Sequence, residues 1–347
     1  MCLLLTASPL AAQLRPVSTY SIVARDSATG QIGVAVQSHW FGVGQIVPWA
    51  EAGVGAVATQ SFVDPSYGKL GLDLLRAGKP APAALQALLH GDAACQVRQV
   101  GMVDAKGDVA TFTGSRNIFA AGSSAGKQSA AAQVQCGTSG GMLISGRDFA
   151  VQANLMANET VWPAMSRAFS ETTGDLATRM LASLDAAEGA GGDIRGKQSA
   201  ALVIVSAKGT GKPWQDRIFD VRVDDHATPL VELRRLVAVQ RAYNHMNAGD
   251  LALEHGDVEA AMREYGAAEN IASTTAGVPR TRHAEMIFWH AVALVGAKRV
   301  EEAIPLFGRA YEMQPALREL ARRLPRAGLL PEDNALISRI TASQPAR

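Results

Sequence analysis

Hydroxyl and amide side chains recur at the ends of short apolar segments early in the chain: Thr19, Ser38, Thr59, Gln60 and Ser61. A hydroxyl attacks a carbonyl only when a base takes its proton. An internal threonine brings no base. A threonine at a chain start has its own α-amine, whose pKa of about 7.7–8.0 leaves it partly neutral near pH 7. Ser38 and His39 are adjacent, but neighbours in a strand point to opposite faces, which argues against a direct nucleophile–base pair and leaves His39 at a rim. Asn154 ends another apolar segment, where its amide can donate to an oxyanion or cap a turn. Asp193 and Arg195 lie in the glycine-rich turn GAGGDIRG. They either grip a carboxylate and orient an amine, or close the turn as an ion pair. Gln198 and Ser199 follow, lining a pocket or satisfying strand edges.

Other chemistries find no motif in the sequence. There is no GxSxG elbow, no HExxH and no P-loop, and Gly140-Gly141 beside Ser139 is not at elbow spacing. Cys95 and Cys136 have no zinc-ligand spacing, so no metal is expected, and no cofactor is implied. A formal net charge of +1 over 347 residues gives no field for nucleic acid or anionic lipid. No apolar run reaches the ~20 residues of a membrane span. The opening MCLLLTASPLAAQ resembles a secretory leader, with cleavage expected after Ala12, which implies a periplasmic or secreted protein. Removing Cys2 would leave Cys95 and Cys136 either as one disulfide or as two buried thiols.

The elements that must position these residues can be read in order. Residues 19–24 and 32–36 form a hairpin across DSATG, and residues 54–61 a third strand. Helices are expected over 66–77 and 80–90, then a hairpin over 97–103 and 108–113. The Gly/Ser/Ala-rich stretch 115–146 reads as a long surface loop. A strand over 148–154, helices over 159–170 and 176–188, and strands over 200–205 and 219–223 complete a first domain, residues 19–225. Beyond it, residues 230–345 are helical only. Ala261, Tyr265 and Ala268 recur as Ala303, Phe307 and Ala310, with Gly249 and Gly256 before the first set and Pro315 after the second. That spacing is tetratricopeptide-like, except that Lys298 stands where the second repeat wants glycine.

TYSIVARD, GVAVQS, VPWAEAGVGAVATQS and PSYG, with the later GGDIRGKQSAA block, resemble the DUF1028 family. The resemblance implies an α+β fold, a four-layer αββα sandwich of N-terminal-nucleophile (Ntn) hydrolase type; the all-α tetratricopeptide-like domain that follows it rests on the repeat pattern alone. It implies hydrolysis of an amide or related C–N bond in a small molecule or peptide. Thr19 would be the nucleophile, Asn154 the oxyanion donor, and Asp193 and Arg195 orienting groups. Ser38, His39, Thr59, Gln60, Ser61, Gln198 and Ser199 would line the substrate site. The chain departs from the family pattern before Thr19. Cleavage there needs Pro16 and Ser18 at a poor site, and cleavage after Ala12 leaves Gln13–Ser18 on the amine. The competing expectation is an exported, non-catalytic protein whose sandwich binds a ligand and whose C-terminal helices bind a protein partner. A structural homo-oligomer is the third.

Overall fold

The computed structural model describes Val17 and residues 19–136 and 139–345; of the leader expected over residues 1–18, all but Val17 lies outside the described residues. The chain divides into two compact units, one ending at Leu233 and the other beginning at Arg234. The first is a mixed α+β unit with two antiparallel sheets.

In chain order its strands are β1 (Thr19–Arg25), β2 (Ile32–Ser38), β3 (Pro48–Glu51), β4 (Gly55–Ser61), β5 (Arg98–Asp104), β6 (Asp108–Gly114), β7 (Gly122–Ala125), β8 (Ala130–Cys136), β9 (Ser139–Arg147), β10 (Phe149–Ala153), β11 (Ser199–Val205) and β12 (Arg217–Val223). One sheet runs β12-β11-β2-β1-β10-β7, the other β3-β4-β5-β6-β9-β8. The first hairpin forms as its sequence dictates. The Asp26 carboxylate accepts from the Ala28 and Thr29 amides, and Gly30 takes φ +73°.

Alternation then decides which residues meet. Val23, Val34 and Val36 of one sheet pack against Ala56, Ala58 and Val103 of the other. In the same inward register sit Ser21, Gln60, Gln99 and Gln152, which bond across the gap. The opposite register of the second sheet carries Val57, Val100, Met102 and Phe112. These pack with Leu72, Leu75, Leu85 and Leu89 of helices α1 (Ser66–Arg76) and α2 (Ala81–Gly91). Each such leucine contributes roughly 1.5–3 kcal/mol by leaving water. Helices α3 (Val161–Glu171) and α4 (Leu176–Gly189) pack on the first sheet, α3 against β10 and β7 and α4 against β1 and β2.

The expected loop over 115–146 is a correction: it contains β7, β8 and β9. The glycines there answer to close approach, not to turns. A Cβ on Gly140 would lie 2.0 Å from the Val134 carbonyl oxygen, and one on Gly141 2.4 Å from that of Thr113. β8 is an edge strand whose first four residues are exposed, so it carries no apolar signature. β3, a four-residue edge strand, was likewise hidden in a glycine-punctuated segment. Cys95 and Cys136 form a disulfide with Cα atoms 6.0 Å apart, tying the turn before β5 to the end of β8.

The second unit is helical. Its elements are α5 (Pro229–Glu254, which begins in the first unit), α6 (Val258–Thr274), α7 (Arg280–Gly296), α8 (Val300–Met313), α9 (Leu317–Arg323) and α10 (Asn334–Ala342). Ala261, Tyr265, Ala268, Ala303, Phe307 and Ala310 are all fully buried. The turns after α5 and α7 are built alike. Gly256 N–H donates to Leu253 O and Asp257 N–H to Ala252 O, both at 2.9 Å. Lys298 N–H donates to Val295 O at 3.0 Å and Arg299 N–H to Leu294 O at 2.8 Å. Gly256 takes φ +79° and Lys298 φ +65°, so the lysine occupies a left-handed helix-end position that glycine fills without strain.

Candidate functional site

The sandwich interior is divided. One half is valine and alanine; the other is a polar seam built from side chains that strand alternation points inward. Gln60 Nε2 donates to the Thr19 carbonyl at 3.0 Å and to Gln99 Oε1 at 2.7 Å, while its Oε1 accepts from Ser21 Oγ at 2.6 Å. Gln99 Oε1 also accepts from Asn154 Nδ2 at 2.8 Å. Its Nε2 donates to Thr113 Oγ1 at 3.0 Å and to the Ala153 carbonyl at 2.9 Å. Gln152 joins the Ala58 carbonyl (3.0 Å) and Thr111 Oγ1 (3.1 Å) of the opposite sheet. Gln60, Gln99 and Gln152 thus staple the two sheets together with both ends of each amide satisfied. In a dry interior this arrangement rigidifies, whereas an orphaned amide there destabilises.

Thr19 sits at one end of this seam and is fully buried. Its Oγ1 lies 2.9 Å from the Val17 carbonyl and 3.2 Å from Ser38 Oγ. Thr19 pairs with Ser38 across the hairpin, and Ser38 pairs with Ser199 on the next strand. The Asn154 N–H donates to the Thr19 carbonyl at 3.1 Å. Val17 exchanges two hydrogen bonds with Ser61, 2.6 Å and 2.9 Å, carrying the chain from one sheet to the other immediately before Thr19. Ser61 adopts φ +69° there. The Oγ of Ser61 and the Oδ1 of Asn154 are buried without a hydrogen-bond partner.

At its other end the seam opens into a cavity of about 500 Å³. Thr113, which bonds to Gln99 and lies 3.3 Å from Ser123 Oγ, forms part of its wall. Asn117, Phe119, Met142 and Trp162 complete the shape, and no charged side chain lines it among the described residues. The amide of Asn117 donates to Arg98 O and Gly114 O, while its Oδ1 is buried and unpaired. Trp162 lies so close that a Cβ on Gly122 would fall 2.3 Å from its ring.

Thr19, Ser38, Gln60 and Asn154 are therefore directly linked, and Ser61 joins them through Val17. Asp193 and Arg195 face each other: Arg195 Nε and Nη2 bond the two carboxylate oxygens at 3.0 and 2.7 Å. This pair holds its turn against the segment after β10, through Met156 opposite Asp193 and the Ile194 N–H donating to the Leu155 carbonyl. His39 gives its backbone N–H to Asp193 Oδ2 at 3.4 Å, and its Nδ1 is buried without a partner. Three residues are engaged elsewhere. Thr59 Oγ1 donates to the Asp64 carbonyl, Gln198 Nε2 to Asp225 Oδ1, and Ser199 Oγ to the Trp40 carbonyl. No group of three or more His, Cys, Asp or Glu is placed to hold a metal ion among the described residues.

A family model described as a family of unknown function, DUF1028, matches residues 19–136 and 133–233, more than half of the chain. The chain belongs to the DUF1028 family. A crystal structure of protein SPO2555 from Silicibacter pomeroyi, described under the same family, is similar to it at 28% identity and a TM-score of 0.50, covering 68% of this chain and 92% of the other. No curated protein matches the chain.

In this DUF1028 chain the seam's central members, Gln99 and Gln152, were missed from sequence, as were Asn117 and Trp162 on the cavity wall; Thr113 reads from sequence only as a hydroxyl beside a glycine at a strand end. The glutamines had a readable signal. In RQVGMVD and FAVQA each occupies the register of small residues, opposite a register of large apolar ones. The cavity wall had none, because two of its strands carry no apolar pattern.

Proposed function

We propose that this DUF1028 chain is an amide hydrolase with an αββα Ntn-type sandwich, exported, and latent while residues precede Thr19. The observation that carries this reading is the setting of Thr19. Its hydroxyl meets Ser38 Oγ, its carbonyl is held by Gln60 and Asn154, and its seam leads to a neutral cavity. Once Thr19 is the first residue, its α-amine takes the hydroxyl proton as Oγ1 attacks the amide carbonyl. The C–N bond breaks, the proton passes to the leaving nitrogen, and water then hydrolyses the acyl-threonine ester. Asn154 supplies the oxyanion donor by exchanging its bond to Gln99, and the Asp193–Arg195 pair fixes the adjoining turn. The disulfide supports an oxidising compartment. The test compares two forms against a panel of amide substrates, one beginning at Thr19 and one retaining Val17. Turnover is expected only in the first, and Thr19→Ala in that form is expected to abolish it. Full activity in Thr19→Ala would remove Thr19 from the mechanism.

A second reading, ligand binding without catalysis, is favoured by the Val17–Ser61 pairing that buries Thr19. It predicts that the form retaining Val17 binds neutral amides in the cavity and never turns them over. In either reading the helical unit is tetratricopeptide-like and binds a partner. The support is the recurrence of Ala261, Tyr265 and Ala268 with the shared turn geometry at Gly256 and Lys298.

A further inference from the structure

The helical unit holds a cavity of about 510 Å³ within its own α5, α6 and α7 residues, with Leu329 at its wall. Tyr243, Tyr265 and Trp289 give it aromatic rings; Asp250, Glu254 and Glu285 give it carboxylates. No lysine, arginine or histidine is among its lining residues. Tyr265 OH donates to Asp250 Oδ1 at 2.6 Å and Tyr243 OH to Glu285 Oε2 at 3.3 Å. Burial, reinforced by the neighbouring carboxylate, pushes both phenols above their ordinary value, so they remain donors at neutral pH. Arg282, an exposed residue outside the cavity, reaches Glu285 at 3.3 Å. Among the described residues neither Asp250 nor Glu254 is in an ion pair, which leaves the cavity lining with an excess of negative charge.

Aromatic faces and carboxylates select in the same direction. The ring quadrupole attracts a cation, and the carboxylates attract it again. Rings and methionines also remove an apolar body from water, and the volume is that of a small-ligand site. We propose that this cavity binds an organic cation, an ammonium or guanidinium carried on an apolar chain or ring, with Asp250 and Glu254 at its charge, Tyr243 and Trp289 around its body, and the fully buried Tyr265 holding Asp250 from behind. The same group can arrive on a free amine or on a basic peptide side chain. The proposal does not depend on Thr19 or on any activity of the sandwich.

The full chain would be titrated by calorimetry with phenethylamine, with its neutral analogue phenethyl alcohol, with the anion phenylpropionate, and with the blocked peptide acetyl-Ala-Arg-Ala-amide. At least one cation is expected to bind about tenfold tighter than the alcohol, with phenylpropionate weaker still. Tighter binding of the amine assigns the site to free cations, and tighter binding of the peptide assigns it to basic side chains. Glu254→Gln, at an exposed position, is expected to weaken the cation about threefold, and the double variant with Asp250→Asn about tenfold. A thermal melt checks that each variant is folded, and Glu254→Gln alone carries the test if the double variant is not. Affinity of both cations no greater than that of the alcohol, no binding of either cation, or unchanged cation affinity in folded Glu254→Gln would overturn the proposal.

Discussion

The two cavities are nearly equal in volume and opposite in chemistry. The sandwich cavity, about 500 Å³, is walled by neutral groups and joined to a seam of buried amides; the helical cavity, about 510 Å³, is rimmed by carboxylates. Between the buried seam and the helical cavity, the difference in charge follows from water. Gln60, Gln99, Gln152 and Asn154 are at most 1% exposed, and an unpaired charge at such depth destabilises by several kcal/mol. Neutral amides can be satisfied there with no net charge. Glu254 and Asn247 of the helical cavity are exposed, so ionised groups keep their hydration. Depth decides whether a polar cluster can carry charge; the sandwich cavity's own wall, exposed at Phe119, Gln133 and Met142, is neutral by composition.

The sharpest way to break this comparison is to make the same small change in both places. Gln99→Glu replaces donors that face Thr113 and two carbonyls with a carboxylate, and should cost about 3–5 kcal/mol. Asn247→Asp at the helical cavity should stay within about 0.5 kcal/mol. Calorimetric melting of both variants would show it, and similar shifts would mean that depth is not the deciding variable. Next in size, replacing both Cys95 and Cys136 by alanine should cost about 2–4 kcal/mol through the closed loop of 41 residues, read from urea midpoints. Tyr265→Phe should then cost about 1.5 kcal/mol by removing a hydrogen bond to a carboxylate.

A smaller effect separates the units by pH. Burial alone would raise the Asp92 carboxyl, but Arg98, the Ala94 N–H and Tyr67 OH outweigh it and hold it below its ordinary value. Its folded pKa therefore lies under its unfolded one. The contribution is complete above the unfolded value, roughly pH 4, and is lost as pH falls through the folded value. Asp92→Asn should flatten the acid limb of stability in the sandwich and leave the helical unit unchanged. Smallest of all, Lys298→Gly should raise the midpoint slightly, by about 0.5–1 kcal/mol, since glycine takes the left-handed turn without strain.

What the sequence disclosed follows the same line between dry and wet. Elements with one fully apolar face, such as IGVAVQS of β2 or the helix ending in Leu74 and Leu75, were legible because alternation or helical spacing records burial directly. β7 and β8 were not, since one is half-exposed throughout and the other mostly exposed, and nothing apolar marks their period. Thr19, Ser38, Gln60 and Asn154 were legible as polar residues ending apolar strands. That Thr59 turns to the Asp64 carbonyl while Gln60 turns inward was implicit in alternation, but which face is the interior needed the second sheet. Gln99 became a hub only once β4, β6 and β10 surrounded it.

The Cys95–Cys136 bond has a consequence for a protein that meets proteases. Most of the sandwich cavity's wall, from Thr113 to Gln133, lies between the two cysteines in the chain. Arg116 and Lys127, the basic residues on that stretch, are exposed. A tryptic nick after either would leave the fragments covalently joined, as a single band on a non-reducing gel and two under reduction. The pocket would outlast the continuity of the chain that forms it.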